Sequence, residues 1–444
     1  MFKKVGLIAL STGLVLSGVG LSNADAAKKE VDTSKVKLNE KGPVENVIYM
    51  IPDGFGANHA ANYRIFKGQE AVWDSHIKGM YTTYSANADI TDSAAAGTAM
   101  AAGVKTNNGV IGFDPEGNKV KTILEASEEA GKSSGLVATS TITHATPASF
   151  ASHVESRSNE TEIARQYIQE SGVDVILGGG KNNFVPVTEG GKQTELDLID
   201  EAQEKGFEFV ETREQLGNSK SINVEKGDKL LGLFADEALA PEFDRAETEE
   251  PSLAEMTETA IDALNQDKDG FFLMVEGSQI DWAGEENDAG YAMHDTKAFE
   301  EAVQEAIEFA EQDGKTLVIV AGDHETGGMS VGSATSSDAA AAILKNVTAT
   351  GGFMASQLNK DRLNVKEVIL EYTGLELSVK EERTIQQAED AKPAINRVLS
   401  ERAGIGWTRY GHSAAPVPVF AFGPQSYKFV GFHDKTCQKL FWKR

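Results

Sequence analysis

The feature that most constrains the fold of this chain is a repeated unit. A short uninterrupted apolar run ends in a polar or acidic loop and gives way to a Glu- and Ala-rich helical stretch. Val47-Ile48-Tyr49-Met50-Ile51 leads into Pro52-Asp53-Gly54, and Gly135-Leu136-Val137-Ala138-Thr139 leads into Thr143-His144-Ala145-Thr146. Residues 173–177 run into three glycines, residues 271–275 into Glu276-Gly277, and residues 317–321 into Asp323-His324-Glu325. Apolar runs of this length, bounded by turn residues, read as strands buried on both faces. Helical segments such as 122–130 and 296–312 separate them. The alternation predicts an α/β fold with a large, mostly parallel central sheet flanked by helices. Such sheets bind ligands beyond the carboxyl ends of their strands. Asp, Glu, His and Thr recur at that position here.

From residue 333 to about 403 the pattern changes to helices and loops with no clear strand, which reads as an insertion carried on the main domain. Ser378 followed by Glu381 has the spacing of a capping box opening one of these helices. Residues 418–422 then resemble a late strand. At the amino end, Lys3-Lys4, an apolar stretch over 5–21 and the Ala24-Asp25-Ala26 pattern read as a signal peptide over 1–26. The expectation is therefore one domain over 27–444, with no membrane span, in a protein that is exported and extracellular, periplasmic or wall-associated.

The formal net charge of −26 argues against nucleic acid or an anionic membrane as partner. The chain has one cysteine, Cys437, so it has no intrachain disulfide, and a metal site must draw on imidazole and oxygen donors. Asp and His side chains at successive strand ends suit zinc, and Asp, Glu and Thr oxygens suit magnesium. In Thr91-Asp92-Ser93-Ala94-Ala95-Ala96-Gly97, a serine opens a helix among small residues. A helix N-terminus offers free N–H groups and a positive dipole end to a phosphoryl group, although an isolated serine there is more often a simple cap.

Taken together, these segments resemble the alkaline phosphatase family, in that family's order. They are Asp53-Gly54, Thr91-Asp92-Ser93-Ala94, His144-Ala145-Thr146-Pro147, Glu155-Ser156-Arg157, Val275-Glu276-Gly277, Gln279-Ile280-Asp281-Trp282, Asp323-His324-Glu325-Thr326-Gly327-Gly328 and Gly411-His412-Ser413. The resemblance spans roughly residues 46–431. It implies hydrolysis of phosphate monoesters through a phosphoserine at Ser93, with Arg157 holding phosphate oxygens. It implies two Zn²⁺ and one Mg²⁺: one zinc on Asp53, Asp323 and His324, the other on Asp281 and His412, and magnesium on Thr146, Glu276 and the shared Asp53. It also implies a homodimer. Trp282 and His144 fall near the metals, where family members vary.

One position departs from the family. Where a histidine ligand is expected four residues after Asp281, this chain has Glu285. A carboxylate there predicts weaker zinc selectivity, with cobalt, manganese or magnesium more competitive. Glu286 and His294 are nearby candidates to compensate. His153 is a candidate second-layer residue, although a structural role is the simpler reading, and His59, His76 and His433 read as structural or surface residues. Two rival functions stay open at this level. One is a phosphodiesterase or sulfatase on the same scaffold; the other is a catalytically weakened metal or phosphate binder, for which Glu285 is the only support. The carboxyl-terminal residues 437–444 do not resemble the family's usual ending.

Overall fold

The computed structural model describes residues 40–219, 222–334 and 338–436. The amino-terminal leader pattern and the tail from Cys437 onward lie outside the described residues.

Ten strands form one sheet: β1 (Asn46–Pro52), β2 (Ile77–Thr82), β3 (Ser133–Thr141), β4 (Val175–Gly179), β5 (Phe207–Val210), β6 (Lys229–Leu233), β7 (Phe271–Gly277), β8 (Thr316–Ala321), β9 (Val417–Phe422) and β10 (Gly431–Asp434). Their spatial order is β10-β2-β9-β8-β1-β7-β3-β4-β6-β5. Every pairing is parallel except the two made by β9, which runs antiparallel to β8 and to β2. The mostly parallel α/β architecture expected from the alternating runs is therefore the one observed, with the late strand reversed.

The central strands have no solvent face. β7 and β8 are buried at every position and β1 at all but one. One cluster of buried side chains lies on each side: Ile48, Met50, Leu273 and Val275 belong to one, and Tyr49, Ile51, Phe272 and Met274 to the other. This alternation along a continuous apolar run is what a sheet covered by helices on both faces requires. The longest cover is the helix Ala289–Asp313, which extends well before the predicted 296–312 because Asp288 caps it by accepting from Tyr291 N.

Between Ser330–Val331 and Ile405–Gly406 the described residues form helices and loops around a buried cluster of their own, including Met354, Ile369, Ile385, Ile395 and Leu399. The capping box is present: Ser378 accepts from Glu381 N, and Glu381 accepts from Ser378 N at 2.8 Å. Among the described residues no helix is long and apolar enough to cross a membrane.

The chain order places β8, β1, β7 and β3 side by side, so four carboxyl ends converge. Neighbouring strands are about 5 Å apart, and side chains just past those ends are held within reach of one another. Leu273, midway along β7 and fully buried, anchors this centre opposite Gly135. Leu273→Ala is expected to lower stability by about 2–5 kcal/mol in equilibrium denaturation, because the site cannot collapse around the lost side chain.

Candidate active site

Each of the four central strands delivers its own group. Asp53 follows β1, Glu276 is the penultimate residue of β7, Asp323 lies two residues past β8, and Thr146 sits in the helix Ala145–Ala151 after β3. Asp281 comes from the helix Gln279–Glu285 that directly follows β7. All five are buried. The turn after β1 needs a glycine: Gly54 has φ +75°, and a Cβ there would lie 2.8 Å from the Asp281 Cα. Gly54 N also donates to Asp323 Oδ1 at 3.2 Å, tying the β1 and β8 ends together.

Two groups of potential ligands result, Asp53 with Asp323 and His324, and Asp281 with His324 and His412, each with donor atoms within 4.8 Å of one another. His324 Nε2 lies 3.0 Å from Asp323 Oδ2 and 3.5 Å from Asp53 Oδ1. His412 reaches the site from a short strand, His412–Ser413, paired with Glu325–Thr326. Its ring stacks on His324 with centroids 3.6 Å apart, and its Nε2 lies 3.6 Å from Asp281 Oδ1. Thr146 Oγ1 donates to Asp53 Oδ2 at 3.4 Å, and Ser140 Oγ donates to Glu276 Oε2 at 3.3 Å.

This arrangement suits metal ions. Asp53 Oδ1 and Glu276 Oε1 are buried and have no hydrogen-bond donor, and Asp323 Oδ2 faces only the His324 ring, a costly state for carboxylate oxygens unless a cation faces them. Burial pushes the Asp53 carboxyl well above the usual carboxylate range, and the charges of Asp323, Asp281 and Glu276 push it further. Burial likewise raises Glu276 to about 7. Burial opposes ionisation of Asp323 too, but the adjacent His324 outweighs it and holds that carboxyl below its ordinary value. Carboxylate, hydroxyl and imidazole donors fit zinc and magnesium.

Ser93 is the first residue of the helix Ser93–Ala102 and is buried. Its Oγ lies 3.3 Å from His324 Nε2. Asp92 is the cap, accepting from Ala95 N through Oδ1 and from Gly109 N through Oδ2. The same Oδ2 accepts from Arg157 Nη1 at 3.2 Å, while Arg157 Nη2 meets His144 Nε2 at 2.9 Å. The guanidinium is thus held from two sides beside the serine helix. Trp282 packs edge-on against His144, with centroids 6.0 Å apart.

Glu285 reaches the second group, its Oε1 3.9 Å from His412 Nε2, although about half of its side chain is exposed. Burial and then the Asp281 charge raise its pKa. The two suggested substitutes do not join it. Glu286 is engaged by Lys392 at 2.7 Å, and His294 bonds the Leu344 carbonyl between the rings of Phe66 and Phe243. His153 spans Glu125 and the Gly112 carbonyl, a structural bridge.

Three contributors escaped the sequence reading. Asp92 orients Arg157 as well as capping its helix, and its position before Ser93 was the available signal. Thr326 donates to Asp281 Oδ1 and lies 3.3 Å from His324 Nδ1, so it braces both ligand groups. Lys435, fully buried, donates to the Asp323 carbonyl, and burial pulls its pKa down to about 7. Thr326 lies inside the quoted Asp323–Gly328 motif without a role assigned to it, and nothing in the local sequence marks Lys435.

The raised pKa of Glu276 has a measurable consequence in chelator-treated protein. Folding raises this pKa, so the folded state keeps the proton and its ionised form is penalised. The penalty is absent below about 4.5, the ordinary glutamate value, and complete above about 7. Glu276→Gln removes it, so the variant's melting temperature relative to the unsubstituted protein is expected to rise between pH 5 and pH 8. A pH-independent difference would contradict this.

Comparison with known proteins identifies the family. The family model described as alkaline phosphatase matches residues 44–443. Alkaline phosphatase 3 of Bacillus subtilis is 40% identical over 446 residues, covering 95% of this chain and 93% of the relative. The crystal structure of a cold-active alkaline phosphatase from the psychrophile Shewanella sp. superposes with a TM-score of 0.81 at 31% identity, covering 89% of this chain and 98% of that one. A variant of the alkaline phosphatase from the Antarctic bacterium TAB5, described with Mg bound in its M3 site, superposes with a TM-score of 0.68 at 31% identity, covering 90% of this chain and 97% of that one. A match over nearly the whole chain, around a buried serine and a cluster of metal-competent side chains, places this protein in the alkaline phosphatase family, metal-binding enzymes that hydrolyse phosphate monoesters.

Proposed function

We propose that the protein hydrolyses phosphate monoesters through a phosphoserine formed on Ser93. The observation that carries this reading is the position of Ser93: buried, at a helix N-terminus, 3.3 Å from His324 Nε2 and in front of the two ligand groups. Asp53, Asp323 and His324 are assigned to one Zn²⁺, Asp281, Glu285 and His412 to a second divalent ion, and Thr146, Glu276 and Asp53 to Mg²⁺. Ions held there would supply positive charge for the phosphoryl oxygens, the Ser93 hydroxyl and the leaving-group oxygen.

The chain's own groups do the rest. Arg157, fixed by Asp92 and His144, presents its planar fork to two phosphate oxygens, a bidentate grip that lysine cannot reproduce. The free N–H groups at the start of the Ser93 helix and its positive dipole end face the same anion. Ser93 Oγ attacks phosphorus in line, the alcohol departs, and water then releases inorganic phosphate from the serine. Divalent ions bound to these carboxylates would also reverse the sign locally and so admit an anionic substrate to a protein of net charge −26. The leader pattern supports export, and the family resemblance supports a homodimer.

The reading is tested with chelator-stripped protein refilled with zinc, cobalt or manganese, each with magnesium. Metal-dependent release of phosphate from p-nitrophenyl phosphate is expected, falling by at least about 10³-fold in Ser93→Ala. Glu285→His should raise activity with zinc relative to cobalt and manganese, because a neutral nitrogen donor suits zinc better than this half-exposed carboxylate. Silence with every metal, in both the unsubstituted protein and Glu285→His, would leave a metal or phosphate binder in place of the enzyme.

A further inference from the structure

A cavity of about 430 Å³ is walled by residues close in sequence to Glu285 and His412. Its walls include Asn287, two positions after Glu285, and the segment from Trp407 to Tyr410, two positions before His412. Asn287 takes a left-handed backbone conformation, φ 53°, uncommon outside glycine, and uses it to aim its amide at two carbonyls. Nδ2 donates to Gly284 O at 3.0 Å and to Arg409 O at 3.0 Å. The cavity wall is therefore pinned to the helix that bears Asp281 and Glu285. Gly327 fixes the same wall from the other side. Thr408 N and Arg409 N donate to its carbonyl at 3.0 and 3.2 Å, its N–H donates to Gly411 O at 2.9 Å, and the Trp407 ring packs on its Cα, where a Cβ would lie 2.5 Å from the indole. The next residue inward is Thr326, which donates to Asp281.

The chemistry of the lining is unusual for this surface. Tyr410 is 66% exposed, a large ring left in water at the mouth. Arg409 is exposed, and among the described residues no carboxylate pairs with its guanidinium, in a chain of net charge −26. The cavity's other arginine, Arg397, is taken by Glu401 at 2.9 Å, which also neutralises the one acidic group in the wall. An exposed aromatic ring and a cation with no carboxylate partner among the described residues, on a wall tied to the helix of Asp281 and Glu285, match a flat leaving group with a second anionic substituent.

The geometry points to this cavity as the leaving-group subsite, selective for phosphate monoesters whose alcohol carries an aromatic ring and a further negative charge. Tyr410 receives the ring and Arg409 the charge. The inference rests on the phosphatase reading above and specifies its substrate class.

Three probes test it on the metal-loaded full chain: glycerol 1-phosphate, 2-naphthyl phosphate and 6-carboxy-2-naphthyl phosphate. Arg409→Ala is expected to raise KM about five-fold for the carboxylated ester alone, the size of one exposed ion pair. kcat and both other substrates should stay unchanged, and Arg409→Lys should recover part of the loss. Tyr410→Ala should raise KM for both naphthyl esters and leave glycerol 1-phosphate unaffected. Equal effects on all three substrates, or none on any, overturn the subsite while leaving the phosphatase reading intact. Failure of the unsubstituted protein to hydrolyse all three overturns both.

Discussion

The structure turns on electrostatic crowding at the carboxyl ends of four adjacent parallel strands. Asp53, Glu276, Asp281 and Asp323 are all buried within one small region, and Asp53 Oδ1 and Glu276 Oε1 have no donor. No polypeptide gains stability by gathering unpaired carboxylates away from water. The pKa pattern expresses the strain: Asp53 and Glu276 are driven upward by burial and by their neighbours' charge, and only Asp323, with His324 beside it, is held low. Metal ions would relieve this crowding, because the same side chains offer oxygen and nitrogen donor atoms close to one another.

Much of the surrounding structure keeps those groups from moving apart. β8, β1, β7 and β3 are registered side by side and buried at all but one position each of β1 and β3, so the strand ends cannot splay. Gly54 lets the β1 turn pass against the Asp281 backbone. Thr326 braces Asp281 and His324 together, and Lys435 holds the Asp323 carbonyl from beneath. Asp92 extends the order to the substrate side, since one carboxylate both caps the serine helix and orients Arg157. Catalytic geometry of this kind depends on supporting residues as much as on the reacting ones.

The central fold and the central site were legible for the same reason. Strands buried on both faces must be continuously apolar, so β1, β3, β7 and β8 stand out, and the polar residues that follow them stand out by contrast. The strands that escaped notice, β2, β5, β6 and β10, lie toward the sheet's margins. β2 carries Lys78 and Gly79 and is half exposed, β5 is four residues long, and half of β10 is exposed, so these three need no continuous apolar run, whereas β6 is largely buried but short, with Lys229 at its start and Gly232 interrupting it. The structure brings the candidate residues at the strand ends together, with His412 beside them. The supports from Thr326, Lys435 and the Asp92–Arg157 pair escaped because they arise from contacts between distant segments. Glu285 was legible as a departure, and the structure adds that it is half exposed, with both proposed substitutes engaged elsewhere.

The central claim is that buried carboxyl groups hold protons that divalent cations displace. It is tested most directly by calorimetric titration of chelator-stripped protein with zinc at pH 6, in two buffers of different ionisation enthalpy, which counts protons exchanged per ion bound. The raised Asp53 and Glu276 carboxyls, with a His324 whose pKa the neighbouring Asp323 lifts against the effect of burial, predict net proton release on binding. Binding heats independent of the buffer would show that the carboxyl groups are already ionised, and would contradict the account.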